Sequence, residues 1–385
     1  MHRRTIAGWR SLGGATLAAL VLAACSTTSS APPSPTATLS DALGHLVATP
    51  GGPPGAIALI EVGDTPKVLT AGVGNVASHR VIAVDDTTRL ASVSKAFNGA
   101  VALALVSQGK LTLADTIGKW LPSLPPAWAT VTLAQLLQHT GGVPDYIKSP
   151  AFLRELQSDP QAVMTPAQLL GFVATEPLDF LPGSKYEYSD SDNIVVGLMI
   201  EAVTGGSYES ALARYVTIPL DLTKTTLPAN AQMTEPYVHG YSVEAGKAPE
   251  DDTTALNPGL AWASGGMNST PAELNTFMRA YVSGHLFDAA TQKQQLQFVP
   301  GDSGPPGPGT NSAGLAVFRY QTSCGTVYGH SGNYPGYTAF AASNLQGTRS
   351  VVVIVNEQLN SGTTTTAFTQ LRHVWELSVC AALAP

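Results

Sequence analysis

Ser92 and Lys95 stand three residues apart in the run Arg89-Leu90-Ala91-Ser92-Val93-Ser94-Lys95-Ala96-Phe97, at the start of a segment with helical patterning. On a helix that spacing places both side chains on one face. A serine hydroxyl is a weak nucleophile until a neighbouring base takes its proton, and a lysine kept neutral by burial or nearby cations is such a base. A helix N-terminus also presents unpaired backbone N–H groups that can receive a developing oxyanion. The chemistry these residues point to is acyl transfer. The plainer reading of Ser92 is a helix N-cap, and on this stretch alone the two stand level.

Ser107-Gln108-Gly109-Lys110 repeats the spacing and acts as an internal control. It falls where the helix runs out at Gly109, at the negative end of the dipole, whereas Ser92 occupies the positive end. Between them Val93, Phe97, Val101, Ala104 and Leu105 recur at helical spacing and predict one buried stripe.

Two more polar motifs are candidates for the same chemistry. Tyr188-Ser189-Asp190 lies on a loop ahead of a helix, where a tyrosine beside a lysine could relay the serine proton to a leaving group. The alternative there is a packed tyrosine next to a capping Ser or Asp. His330-Ser331-Gly332 ends a predicted strand, and the glycine lets a substrate backbone lie along that edge. The N–H of Asn333 then becomes a second oxyanion donor beside that of Ser92. His139-Thr140-Gly141 matches the His-x-Gly pattern too, but it terminates a helix and reads as structural. The eight histidines show no paired helical spacing, so no metal site is expected, and no cofactor.

The elements that must position these groups follow from patterning. Gly55–Glu61 and Lys67–Val73 predict a hairpin turned at Gly63-Asp64-Thr65-Pro66. Thr132–Gln138, Thr165–Glu176, Ile194–Val203 and Thr270–Tyr281 predict helices, the last with Thr270 as cap, Pro271 in the first turn and Glu273 three residues on. Gly314–Tyr320, Gly325–His330, Gly336–Ala342 and Ser350–Asn356 predict an antiparallel meander, closed by a helix over Thr364–Ala381. Strands at both ends with helices between imply an α/β fold: one antiparallel sheet built from N- and C-terminal segments, flanked by helices, with an inserted helical lobe over about 110–285.

Arg3 and Arg4 precede the apolar run Gly13–Ala24, which closes with Leu22-Ala23-Ala24-Cys25. This reads as a secretory signal peptide over 1–24 with a lipobox-like end, making Cys25 the lipidated N-terminus. Residues 25–40 are rich in Ser, Thr, Ala and Pro and predict an extended tether, leaving 41–385 as the folded domain. The expected location is thus the outer face of a cell membrane, within the envelope. A net charge of −7 with 12% charged residues argues against a nucleic-acid partner. Cys324 and Cys380 are the cysteines left over; in an oxidising compartment they suggest one disulfide, tying the last helix to the sheet, and two buried thiols are the alternative.

Together, Ser92-Val-Ser-Lys95, Tyr188-Ser-Asp190 and His330-Ser-Gly332, in that order, resemble the three motifs of the penicillin-recognising serine hydrolases. Leu137-Gln-His-Thr-Gly-Gly-Val-Pro-Asp-Tyr146, Leu181-Pro-Gly-Ser-Lys-Tyr-Glu-Tyr188 and Ser264-Gly-Gly-Met-Asn-Ser-Thr270 are similar to further signatures of that superfamily. The branch most resembled holds class C β-lactamases, actinobacterial D-alanyl-D-alanine carboxypeptidases and esterases. The cysteine pair especially resembles secreted actinobacterial carboxypeptidases. The resemblance implies a β-lactamase/transpeptidase-like fold, Ser92 as acylated nucleophile, and Lys95 and Tyr188 as the proton-handling pair. It also implies a substrate cleft lined by Asp190, His330, Ser331, Gly332 and Asn333. The expected activity is that of a monomeric, penicillin-binding D-alanyl-D-alanine carboxypeptidase acting on a peptide or β-lactam. An esterase or β-lactamase, or a non-catalytic binder of wall fragments, are the alternatives.

One residue departs from the pattern: the second motif usually ends in asparagine, and here it is Asp190. An asparagine amide donates to a substrate carbonyl, while an ionised carboxylate only accepts. A negative charge beside Lys95 also makes the lysine a weaker base, leaving more work to Tyr188. Arg319 is placed either to hold a substrate carboxylate or, by strand alternation, to face solvent; the second is the preferred reading.

Overall fold

The structure is a computed structural model and describes residues 35–301, 304–362 and 365–384. The expected signal peptide, the expected lipidation site Cys25 and the expected tether through residue 34 lie outside the described residues. Strands β1 (Gly55–Val62) and β2 (Thr65–Gly72) form the expected hairpin, turning through Gly63 at φ 64°. The C-terminal third supplies β3 (Val299–Pro300), β4 (Thr310–Ala313), β5 (Phe318–Thr322), β6 (Gly325–Tyr334), β7 (Tyr337–Ser343) and β8 (Arg349–Val355). They join in one eight-stranded antiparallel sheet of order β2-β1-β8-β7-β6-β5-β4-β3. Ala56 of β1 pairs with Val355 of β8, so the first strand is sealed by the last.

Alternation along β1 sends Ile57 and Leu59 to one face and Ala56, Ala58 and Ile60 to the other, and both sets are buried. A sheet apolar on both faces needs helices on both. One face carries α1 (Pro35–Ala48) and α7 (Thr365–Leu383). The other carries α2 (Ser94–Ser107), the helical lobe and α6 (Pro271–Val282). In the lobe, α3 (Leu133–Leu137), α4 (Pro150–Ser158) and α5 (Asp190–Thr204) frame the site. Helix α6 is tied to the sheet as well, for Ser350 Oγ donates to Asn275 Oδ1 at 2.7 Å.

Four expectations change. The tether does not run to residue 40: Pro35–Ser40 open helix α1, because Leu39, Leu43 and Leu46 recur on one helical face and are completely buried. The predicted single stripe on α2 is instead burial all round, from Ser94 through Leu105, since the helix runs between sheet and lobe. The segment from Thr165 is helical only over Pro166–Gly171, although Thr165 caps it with a full capping box to Gln168. Helix α5 begins four residues before the predicted Ile194, at Asp190 itself, and ends at left-handed Gly205. Cys324, in the β5–β6 turn, is bonded to Cys380 of α7, which anchors the last helix to the sheet. Among the described residues no helix is long and apolar enough to cross a membrane.

Candidate active site

Ser92 sits in the short 3₁₀ turn Ala91–Val93 that feeds α2. Ala91 before it is held at φ 49°, a left-handed conformation costly for alanine that persists only where its surroundings fix it. The surroundings are Gly332 and Gly265. A methyl group on Gly332 would lie 2.4 Å from Leu90 O and 2.9 Å from the backbone nitrogen of Ser92. Glycine here is what lets β6 run directly against the nucleophile's main chain.

Lys95 is buried at 1% exposure, one turn along α2 from Ser92. Its Nζ donates to Ser92 Oγ at 3.1 Å, to Asp190 Oδ1 at 2.6 Å and to the carbonyl of Ser264 at 2.7 Å. Three acceptors are as many as an ammonium has protons. Asp190 therefore ion-pairs with Lys95, as its position in the second motif implied. The Ser264 carbonyl is delivered by the Ser264–Thr270 segment, where Met267 O accepts from Leu90 N–H at 2.9 Å and Met267 N–H donates to Ser94 Oγ at 3.2 Å.

Tyr188 closes the set. The Lys95 Nζ is 4.9 Å from its ring centroid. Burial and the charges of Asp190 and Asp145 push its phenol well above the usual value, against the pull of a hydrogen bond with Ser92. The Tyr188 loop is fixed by the turn it was read apart from: Glu187 N–H donates to His139 O at 2.9 Å, Gly183 N–H to Thr140 O at 2.7 Å, and the His139 ring lies 4.5 Å from that of Tyr188. The second copy of the Ser-x-x-Lys pattern is far from this chemistry. Ser107 Oγ accepts from Asp288 N–H and Lys110 donates to the Tyr215 hydroxyl.

Strand β5 pairs with β6 only over Gly325–Gly329, so the edge of β6 from His330 onward is open on that side. The two-residue turn Pro335-Gly336 makes Tyr334 and Tyr337 the hydrogen-bonded pair; the next pair, Asn333 and Thr338, then points its N–H groups outward. The Asn333 N–H thus faces the open edge beside Ser92, where an oxyanion donor has to be. Ser331, Gly332 and Asn333 line a cavity of about 390 Å³ together with Ser92, Tyr188 and Asp190.

His330 is not on that wall. It is completely buried on the face of β6 that Gly332 turns to Ser92, its ring centroid 6.4 Å from that of Tyr188; Nδ1 donates to Ser331 O at 2.6 Å and Nε2 has no partner among the described residues. Burial and the Lys95 charge push its imidazole down to about 3, so it is a neutral ring packed beside Tyr188 beneath the cleft. Arg319 is also away from the cavity, donating to Ser312 Oγ and lying over the Phe298 ring. Sequence reasoning gave no role to Asp145, which lines the cavity and accepts the Asp190 N–H at 3.2 Å. Its one signal was its place in the Leu137–Tyr146 signature. Burial and the Asp190 charge raise its carboxyl to about 7.

The arrangement can acylate and deacylate a serine: a nucleophile, two proton-handling groups against it, and two outward N–H groups beside it. The chain is similar to several known proteins. A D-stereospecific amidohydrolase from Streptomyces sp. is 30% identical, with a TM-score of 0.76 over 87% of this chain and 98% of that one. A D-amino acid amidase from Ochrobactrum anthropi SV3, solved with L-phenylalanine amide, superposes with a TM-score of 0.77 at 21% identity, over 90% and 98% of the two chains, and shows the shared fold. Penicillin-binding protein 4* of Bacillus subtilis is 23% identical over 79% of this chain; the chain spans 60 to 68% of the length of the first such curated relatives. The family model described as Beta-lactamase matches residues 41–374, and with this fold and motif set the chain belongs to the β-lactamase family, among the penicillin-recognising serine hydrolases.

Proposed function

We propose that the protein is an exported, lipid-anchored amide hydrolase that works through an acyl-enzyme on Ser92, with D-amino-acid amides or peptides as substrates. The observation that carries this reading is the convergence of Lys95, Tyr188 and the Gly332–Asn333 edge on one serine hydroxyl. In the reaction Ser92 Oγ bonds to the carbonyl carbon while the N–H groups of Ser92 and Asn333 receive the oxyanion. Tyr188, a neutral phenol at rest, takes the Ser92 proton as it hands its own to the leaving nitrogen, and the C–N bond breaks. Water then attacks the ester, returning the proton to Ser92 and releasing the acid. Lys95 stays charged against Asp190 and stabilises the negative charge that passes through Oγ.

The charges of the cavity favour this over the D-alanyl-D-alanine carboxypeptidase reading. Among the described residues Asp145, Glu187 and Asp190 line it with one cation, Lys148, while Lys95 is buried behind Asp190. Lys148 is already held by Glu187 at 3.3 Å and Asp145 at 3.8 Å. Asp190 is likewise held by Lys95 at 2.6 Å and Glu187 also by Lys185 at 2.9 Å, so the described lining offers a substrate carboxylate no cation that is not already engaged. The name of the 30% identical Streptomyces protein supports D-stereospecific amide cleavage, and the names of the penicillin-binding relatives support the carboxypeptidase alternative. The test is to label the soluble domain with a fluorophosphonate, map the adduct, and compare D- and L-amino-acid amides with a D-alanyl-D-alanine peptide. An adduct on Ser92 with turnover of the D-amides is expected; turnover of the peptide alone would return the carboxypeptidase.

A further inference from the structure

Ser92 opens onto two cavities. The first, described above, has a wall of carboxylates and strand edge. The second, of about 280 Å³, is lined by Phe152, Leu153 and Leu156 near or on α4, by Leu256 and Leu260 from the loop ahead of the Ser264 segment, and by Tyr334 at the end of β6. Among the described residues Asp190 is the one charged side chain in that second lining. Ser92, Ile147, Asp190 and Asn333 belong to both, so the nucleophile and Asp190 stand on the border between the cavities.

Asp190 is 9% exposed, and only one of its oxygens is used. Oδ1 accepts from Lys95, while Oδ2 has no hydrogen-bond partner among the described residues. A nearly buried carboxylate oxygen with spare acceptor capacity, beside the attacking hydroxyl, calls for a donor, and a charged donor most of all. The usual asparagine would offer that place an amide N–H and suit a carbonyl; Asp190 reverses the requirement.

We infer that the site takes an acyl residue bearing a free ammonium on the carbon next to the scissile carbonyl and a large apolar side chain, the ammonium on Asp190 and the side chain in the Phe152–Leu256 chamber. The leaving amine then departs through the carboxylate-lined cavity. This rests on the acyl-enzyme reading above and adds its substrate: an unblocked, apolar or aromatic amino-acid amide, or the first residue of a peptide with a free N-terminus. Specificity lies in Asp190 for the charge and in Leu153, Leu156 and Leu256 for the side chain. Sites that hold a polar substrate group in a buried partner's reach discriminate strongly against analogues that lack it.

The experiment compares D-phenylalanine p-nitroanilide, its des-amino analogue 3-phenylpropionyl p-nitroanilide, and D-alanine p-nitroanilide on the wild type, Asp190→Asn and Leu256→Trp, each also titrated with a fluorophosphonate. The wild type should favour the amine over its des-amino analogue in kcat/KM by about 100-fold, and Asp190→Asn should bring that ratio down to about one. Leu256→Trp should lower the phenylalanine-to-alanine ratio by about tenfold or more. Equal turnover of amine and des-amino substrates by the wild type, with Ser92 still labelled, overturns this inference alone. An unchanged phenylalanine-to-alanine ratio in a folded, labelled Leu256→Trp overturns the chamber assignment. Failure of Ser92 to label in the wild type overturns the parent reading instead.

Discussion

Asp192 Oδ2 lies 3.0 Å from His139 Nδ1, with neither side chain more than 3% exposed, and the same nitrogen accepts the backbone N–H of Ser189 at 3.3 Å. A ring nitrogen that accepts from a main-chain N–H cannot also donate, so the proton between the pair belongs to the acid. Burial with the charges of Asp145 and Asp190 pushes Asp192 well up, and burial with the charge of Lys95 pushes His139 down. The pair is a neutral acid on a neutral imidazole, set directly beneath Tyr188.

Its pH signature has a definite sign. Above the ordinary aspartate value of 3.8 the folded chain holds a proton on Asp192 that the unfolded chain has lost, so this group's contribution falls as pH rises toward neutral. His139 acts oppositely: its contribution is lost as pH falls below the ordinary 6.5. Asp192→Asn keeps a donor to Nδ1 and removes the first slope, so its melting temperature should gain on the wild type from pH 4 to 7. Parallel melting curves across that range would show that Asp192 is not held protonated. Asp192→Ala should lose stability at every pH.

Ser92→Ala should fold normally and lose hydrolysis by roughly three orders of magnitude or more, with no covalent adduct by intact mass. Activity at the wild-type level would remove Ser92 from the chemistry.

Gly332→Ala places a methyl group against Leu90 O and Ser92 N, and β6 must retreat from the nucleophile. The expected loss is in kcat, about 100-fold or more, as for removal of an oxyanion donor. A change in KM alone would mean the edge binds substrate without touching the transition state.

Asp145 should appear in the pH profile. With its carboxyl raised to about 7, it is neutral below that pH and ionised above, which adds negative charge to the cavity. For a substrate with an ammonium group, kcat/KM should rise through pH 7; for the des-amino analogue it should not. Asp145→Asn should flatten the rise, and a step that survives in the variant belongs to another group.

Replacing Cys324 and Cys380 by serine opens a loop of 56 residues. The expected loss is about 4 kcal/mol in a denaturant titration, from the entropy regained by the unfolded chain.

What could be read from sequence followed the range of the interaction. The Ser92–Lys95 relation is local, one helical turn, and it was legible. So were the hairpin of β1 and β2, and the cap Thr270, which accepts the Glu273 N–H at 3.1 Å. The helix Pro35–Ala48 was hidden because its Ser, Thr and Pro content speaks for an extended chain, and its leucines find their partners on α7, more than three hundred residues on. His330 stands on the face the motif implied, since period-two alternation puts it with Gly332 on the side of β6 that meets Ser92 and Tyr188; what a motif does not name is depth, and complete burial keeps the ring out of the cavity lining. His139 read as a mere helix terminator because Tyr188 and Asp192, which give it work, arrive about fifty residues later.

The sealing of the first strand by the last sets a clock on activity. Gly55 N–H reaches Asn356 Oδ1 at 2.6 Å across a separation of 301 residues, and Gly332 arrives on Ser92 with the same late strands. A growing chain carries its nucleophile from the first quarter of synthesis yet lacks the strand edge that completes the oxyanion trap until about the last sixth. Contacts of such long range are slow to form. The site is therefore assembled only when the two ends of the fold meet.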